Sequence, residues 1–312
     1  MPIYHVRHVT MYRYARPVGF GPHQVLFRPR DSFDQRLFSA ELDVDPAPAS
    51  VRWLLDVFGN CVAQVEIPGV ARELRFESRI RLEHTPQAEP HLSIADSALT
   101  YPFAYSPEEM VDLAATIRPH YPDPEVEHFA ARFVKPGKPT PTGVLLMTLC
   151  YAIHESFSYG RRNEHGTQPP RMTLALRRGT CRDFALLMME AVRCLGFAAR
   201  FVTGYVYMPE RDGSEIRGGG ATHAWCQVYL PGAGWVEFDP TNGIVGNHEL
   251  IRVAVTRDPT QAVPLSGTFG GRAEDFESMS VQVQVTTEAG GRRDHEAGDR
   301  DANGELCRPG RV

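Results

Sequence analysis

The chain is short of paired cysteines, of long apolar runs and of basic clusters, and each shortage removes a class of protein. Its six cysteines stand at 61, 150, 181, 194, 226 and 307. No C-x-x-C pair and no dense framework occurs among them, so neither a structural zinc nor a disulfide scaffold is indicated. Free thiols in a reducing compartment are expected. The longest apolar run, "GVLLMTLCYAI", is too short to cross a bilayer. The opening "MPIYHVRHVTMYRY" alternates apolar and polar residues and has no apolar core of signal-peptide length. A soluble protein of the cytoplasm, without a membrane partner, is the expectation. Basic residues come only as short Arg pairs and the net charge is −5, which gives no case for a nucleic-acid partner. No internal repeat is visible.

What is present is ordinarily globular. The 312 residues are 42% hydrophobic and 23% charged, enough to bury a sizeable core in one large or two smaller domains. Residues 1 to about 85 read as short strands divided by Pro, Gly and Asp turns, with Phe58-Gly59-Asn60 as a hairpin turn. Strands at this spacing imply a small β-sandwich or barrel. A proline-rich passage from Pro86 to Pro107 marks a boundary. Helical patterns follow in "SPEEMVDLAATI", "DPEVEHFAARFV", "TPTGVLLMTLCYAIHESF" and "MTLALRR". Strands return in "ARFVTGYVYM", "THAWCQVYL", "GWVEFDP" and "ESMSVQVQVTT", the last placed to rejoin the first sheet. The expected division is a β-sandwich over 1–90, an α+β core over 91–287 and a disordered tail over 288–312.

One stretch combines a turn, a thiol and a helix. In "RRGTCRDFALLMMEAVRCLGF", Gly179-Thr180 opens a helix whose half-buried stripe is Phe184, Leu187, Met188, Ala191 and Leu195, and Gly196 stops it. Cys181 therefore lies in the first turn, where free N–H groups and the positive end of the dipole favour a thiolate. Asp183 in the same turn complements the dipole, yet would oppose the thiolate if aimed at the sulfur. The other thiols lack an activating setting. Cys194 sits at the negative end of the helix, Cys61 shares a core face with Ala63 and Val65, and Cys150 lies inside the longest apolar run. Cys226, three residues from His223 on one strand, points to the opposite face.

A thiolate nucleophile needs a base, and the base needs an orienting group. His223 opens the strand "HAWCQVYL", and Asp239 closes the next one sixteen residues later. Cys181, His223 and Asp239 thus form a Cys-His-Asp arrangement of the triad type. An Asp before Pro is also a common turn former. The Cys181 N–H and Tyr159 of "FSYG" are the candidates for stabilising an oxyanion, and Trp225 could shield the site. Gly218-Gly219-Gly220 has no following G-K-[ST] and is no phosphate loop.

The triad also sets a register. Pairing Leu230 with Trp235, across a four-residue loop, would turn Asp239 away from His223. A three- or five-residue loop, or an equivalent bulge, puts Asp239 opposite Trp225 and one diagonal from His223, about 7–8 Å that two side chains can close.

The blocks "RRGTCRDFALLMMEAVRCLGFAARFVTGY", "THAWCQVYLPGAGWVEFDPTNG" and "PLSGTFGG" resemble the bacterial transglutaminase-like superfamily. "DPAPASVRWLLDVFGNCVAQVEIPG" resembles the β-rich domain that precedes its core, and the likeness runs from Ile3 to about Thr287. The resemblance implies a papain-like cysteine-protease core with nucleophile, base and orienter at Cys181, His223 and Asp239. It implies amide chemistry through an acyl-enzyme on a peptide or protein substrate, with no cofactor and no carboxylate-rich calcium loop. Hydrolysis is favoured. Transamidation, a silent binding module and a weakly supported Cys/His metal protein are the alternatives.

Overall fold

The computed structural model describes residues 2–85, 92–160, 162, 166–207 and 222–288. Six strands come first: β1 (Ile3–Phe20), β2 (His23–Val25), β3 (Gln35–Asp45), β4 (Ser50–Leu55), β5 (Cys61–Glu66) and β6 (Val70–His84). The β4–β5 hairpin turns at the Phe58-Gly59-Asn60 signal. Gly59 takes a φ of 75°, and Asp56 Oδ1 accepts from the amides of Phe58 and Asn60 at 2.8 Å each. That is the local side-chain bonding for which Asp is favoured in turns.

A short pairing of β7 (Thr100–Tyr101) with β8 (Thr140–Pro141) precedes and brackets α1 (Pro107–Ile117) and α2 (Pro124–Ala131). Ser106 caps α1 reciprocally with Glu109, and Pro107 occupies the first helical position. The chain continues through α3 (Thr142–Ser156), β9 (Ser158–Tyr159), α4 (Pro170–Leu176), β10 (Arg178–Gly179) and α5 (Cys181–Cys194). It then forms β11 (Ala199–Val206), β12 (His223–Leu230), β13 (Gly234–Asp239), β14 (Ile244–Val245) and β15 (Leu250–Thr256). Last come β16 (Leu265–Ser266), β17 (Phe269–Gly270) and β18 (Phe276–Thr287).

The amino-terminal strands build a sandwich. One sheet runs β3-β6-β1, with β17 and β18 both on the free side of β1; the other runs β16-β2-β5-β4. Between them lie Tyr14, Val25, Phe27, Val65, Leu74 and Phe76. Strand β18 pairs with β1 along its length, so the last described strand returns to the first sheet. Glu288 belongs to this pairing and not to a tail. Its N–H donates to Ile3 O, and its carboxylate meets Arg81 at 2.9 Å and His5 at 2.8 Å. The rest of the expected tail, 289–312 with Cys307, lies outside the described residues, as does Gly218-Gly219-Gly220.

The second sheet, in the order β14-β13-β12-β11-β15, carries α5 across one face. The sequence predicts a half-buried α5, but Phe184 to Arg193 are all buried, Glu190 and Arg193 included. Alternation of apolar and charged residues cannot show a helix enclosed from all sides; here α2, α3 and α4 cover the face that the sheet does not. The buried charges are paired. Arg193 donates to Glu190 at 2.7 Å, to Thr116 O at 2.9 Å, and to Ala199 O and Arg257 O at 2.8 Å. The free oxygen of Glu190 accepts from the amides of His120 and Tyr121 at 2.8 Å each. One ion pair thus ties α5 to the α1–α2 connection and to the sheet.

Strand β15 is absent from the sequence reading because Arg252 interrupts its apolar run. In the fold Arg252 lies between Asp34 and Glu237, at 2.9 and 2.7 Å, which makes its burial tolerable. Beside it Ile251 and Val253 join Tyr4, Val6, Leu82 and Tyr205 in a core shared by sandwich and second sheet.

Candidate active site

Local structure fixes the thiol first. Strand β10 pairs in parallel with β9, Gly179 opposite Tyr159, and hands Thr180 to the N-cap of α5. Cys181 is then the first helical residue, with backbone donors unsatisfied by the helix around it. A Cβ on Gly179 would stand 2.9 Å from the Asp183 Cβ, so glycine is required there. Asp183 turns back on the helix start. It accepts from Thr180 N at 2.8 Å, Thr180 Oγ1 at 2.9 Å and Gln168 N at 2.8 Å. Arg162 meets it twice, at 2.8 and 3.0 Å. Its charge is therefore compensated, which removes the opposition to a thiolate that an unpaired carboxylate would exert.

The β12–β13 hairpin positions the other two residues. Leu230 pairs with Gly234, Val228 with Val236 and Cys226 with Phe238, around a loop of three residues, 231–233. This is the register in which Asp239 faces the His223 side. The loop conformation depends on Gly232 at φ 86° and Gly234 at φ 72°. His223 Nε2 and Asp239 Oδ2 are 2.7 Å apart, with both side chains buried. Asp239 is also a turn former: its Oδ1 accepts from Thr241 N at 2.9 Å, and its Oδ2 from Asn242 Nδ2 at 2.8 Å. The two readings of an Asp before Pro hold together, one for each oxygen.

The electrostatics follow from burial and pairing. Burial alone would lower the His223 pKa, but the Asp239 charge, the hydrogen bond to it and the Cys181 side chain outweigh burial and push it up to about 10. Nδ1, the nitrogen not used by Asp239, is buried and makes no hydrogen bond of full geometry. The Cys181 side chain is near enough to the ring to help raise the His223 pKa. Burial raises Asp239 in turn, and the His223 charge with the bonds from His223, Asn242 and Thr241 overcomes it, holding the carboxyl below its usual range. Because the folded-state pKa of His223 is raised, its contribution to stability is complete below about 6.5 and is lost as pH rises through about 10. NMR should therefore show the His223 imidazolium persisting to about pH 10 and, in Asp239→Asn, titrating at distinctly lower pH. An unchanged titration in the variant would remove Asp239 as the source of the shift.

Trp225 lies against His223, the ring centroids 6.0 Å and the planes 26° apart. Its indole N–H donates to Glu237 Oε2. Glu237 Oε1 accepts from Gln227 and Arg252, both at 2.7 Å. Gly204 makes room for the indole. A Cβ there would meet Ile251 O at 2.0 Å and Trp225 Cη2 at 2.8 Å. Gly204→Ala should therefore cost about 1–3 kcal/mol, as overpacking does, read as a lowered urea midpoint with altered near-UV dichroism. Tyr159 is half-buried and packs on the cluster that contains Cys181; its backbone adjoins the strand leading to the thiol.

Three other thiols, Cys150, Cys194 and Cys226, sit in resistant settings, while Cys61 is only partly buried. Cys150 and Cys226 are wholly buried, and burial pushes both pKa values up. Burial, aided by Glu190, raises Cys194 to about 11. Among the described residues no group of three His, Cys, Asp or Glu is placed to hold a metal ion. Sequence reasoning missed Asn242, Arg162, Glu237 and Gly204. Only Asn242 had a local signal, since Asp-Pro-Thr-Asn is a turn sequence in which side chains bond back to the backbone.

Residues 4–83 match the bacterial transglutaminase-like N-terminal region and residues 127–240 match the transglutaminase-like superfamily. An uncharacterized protein of Mycobacterium tuberculosis is 29% identical over 292 residues, covering 90% of this chain and 92% of its own. One from Mycobacterium leprae is 27% identical over 302 residues, covering 90% and 97%. A crystal structure from Cytophaga hutchinsonii, described as a candidate cysteine protease, shares the fold with a TM-score of 0.65. Its sequence identity is 17%, covering 91% of this chain and 90% of that one.

Proposed function

We propose that this chain, which belongs to the transglutaminase-like superfamily and carries its bacterial amino-terminal region, cleaves amide bonds through an acyl-enzyme on Cys181. The observation that carries the reading is the buried 2.7 Å contact of His223 Nε2 with Asp239 Oδ2, which leaves Nδ1 without a partner and able to carry the proton exchanged with Cys181. With the proton already on His223, whose pKa is raised to about 10, Cys181 Sγ bonds to the carbonyl carbon as the thiolate. The resulting oxyanion is met by the Cys181 N–H at the helix start, with Tyr159 as the second donor. His223 returns its proton to the leaving nitrogen as the C–N bond breaks. Water then attacks the thioester, giving its proton to His223, and the carboxylic acid leaves as the C–S bond breaks and the thiolate is restored beside the imidazolium. Asp239 holds the imidazole in the tautomer that presents Nδ1 as the base and stabilises the imidazolium.

The test is selective alkylation. Cys181 is 6% exposed and stands at a helix start beside its base. Brief iodoacetamide treatment at mildly acidic pH, followed by peptide mapping, should label Cys181 before Cys61, Cys150, Cys194 or Cys226. Earlier labelling of any of these would overturn the nucleophile assignment. Product analysis with a peptide and an added primary amine then assigns the acceptor: free acid supports hydrolysis, and amine incorporation supports transamidation.

A further inference from the structure

Away from Cys181, His223 and Asp239, a cavity of about 510 Å³ opens between the loops of the sandwich and the second sheet, lined by residues of β11, β12, β13 and β15 and by the β12–β13 hairpin. Its polar lining includes Arg30, Asp34, Arg200, Glu237 and Arg252. Asp31 is a third carboxylate of the lining, so three arginines face three carboxylates. Arg252 lies between Asp34 and Glu237, and Arg30 donates to the carbonyls of Phe58 and Gly59.

Arg200 differs. Its guanidinium stacks on Trp235, 3.7 Å from the ring centroid, and NH2 donates to Gln227 Oε1 at 2.8 Å. Nε is buried with no hydrogen-bond partner, and no carboxylate among the described residues forms an ion pair with this side chain. Burial accordingly lowers its pKa, to about 10, with Glu237 the one neighbouring charge that supports it. Phe33, Phe58, Leu92 and Val236 add apolar wall to the same cavity.

We propose that this cavity binds a small monocarboxylate with an apolar body, anchored by Arg200 and seated against Trp235. Arg200 is the lining guanidinium that stacks on an aromatic ring and keeps a donor unbonded, so one carboxylate finds its anchor there, while Asp31, Asp34 and Glu237 already balance the three arginines and disfavour a second negative charge. A dianion such as phosphate would also face Asp34 and Glu237, whose charges are shared on one arginine. The hydrocarbon body gains from contact with Phe58 and the indole, and the anion gains a charge-assisted hydrogen bond in a low-dielectric setting.

The test uses the full chain, with the indole N–H signals of Trp53, Trp225 and Trp235 followed by NMR. Cyclohexanecarboxylate should shift the Trp235 signal saturably, and cyclohexanecarboxamide should not. Arg200→Gln should weaken binding at least tenfold, with a thermal melt showing that the variant is folded. No saturable shift in the wild type up to about 20 mM, an equal response to the amide, or unchanged affinity in a folded Arg200→Gln would each overturn the site. Inorganic phosphate binding more tightly than the carboxylate would overturn the monoanion assignment. The wild-type comparison of acid with amide stands whatever the stability of the variant.

Discussion

Cys181→Ala and His223→Ala are each expected to abolish turnover, by about 10⁶-fold on any substrate the wild type accepts, whereas Asp239→Asn should leave a measurable rate, down by about 10⁴-fold or less. The difference comes from the roles. In the proposed mechanism Sγ makes the covalent bond and Nδ1 moves the proton, and nothing in the site replaces either atom. Asp239 makes no bond to substrate; it holds Nε2 at 2.7 Å and supports the imidazolium charge. An asparagine keeps the shape and loses the charge, with its amide oxygen still able to accept from Nε2 if Thr241 and Asn242 allow that rotamer. Steady-state kinetics on the three variants, with circular dichroism confirming the fold, decides the matter. An Asp239→Asn enzyme as dead as Cys181→Ala would mean that the carboxylate does more than orient.

The largest stability effect should come from the pair inside α5. Glu190→Ala leaves Arg193 charged, wholly enclosed and without its carboxylate, and strips an acceptor from the His120 and Tyr121 amides. Breaking a buried pair from one side costs about 3–5 kcal/mol. Urea unfolding should show a strongly lowered midpoint. Removing both charges, in Glu190→Met with Arg193→Met, should recover much of the loss, because no buried charge is then orphaned. A double variant less stable than Glu190→Ala would show that Arg193, through its bonds to Thr116, Ala199 and Arg257, stabilises the fold by itself.

Much of the architecture was legible because it is local. Gly59 in its hairpin, Ser106 and Pro107 at the start of α1, and the alternation of β18 each act within a few residues, so composition and spacing carry them. Strand β15 was not legible. Arg252 is foreign to a buried strand until Asp34, more than two hundred residues away, and Glu237 come to neutralise it. The same holds for Asp183, whose partner Arg162 is supplied by a separate loop. Gly204 is a parallel case on the steric side: its missing side chain makes sense only beside the Trp225 ring and the Ile251 carbonyl.

The sequence by itself determined that a thiol opens a helix, that a histidine and an aspartate bound a hairpin, and that a proline-glycine loop of odd length would align them. These follow from period, capping and pairing rules, which need no distant partner. Only the tertiary structure decided that α5 is enclosed on every side, that Asp239 divides its oxygens between turn and imidazole, and that Trp225 lies against His223. Burial and charge compensation depend on which segments meet in space, and a linear chain does not specify those meetings until it has folded.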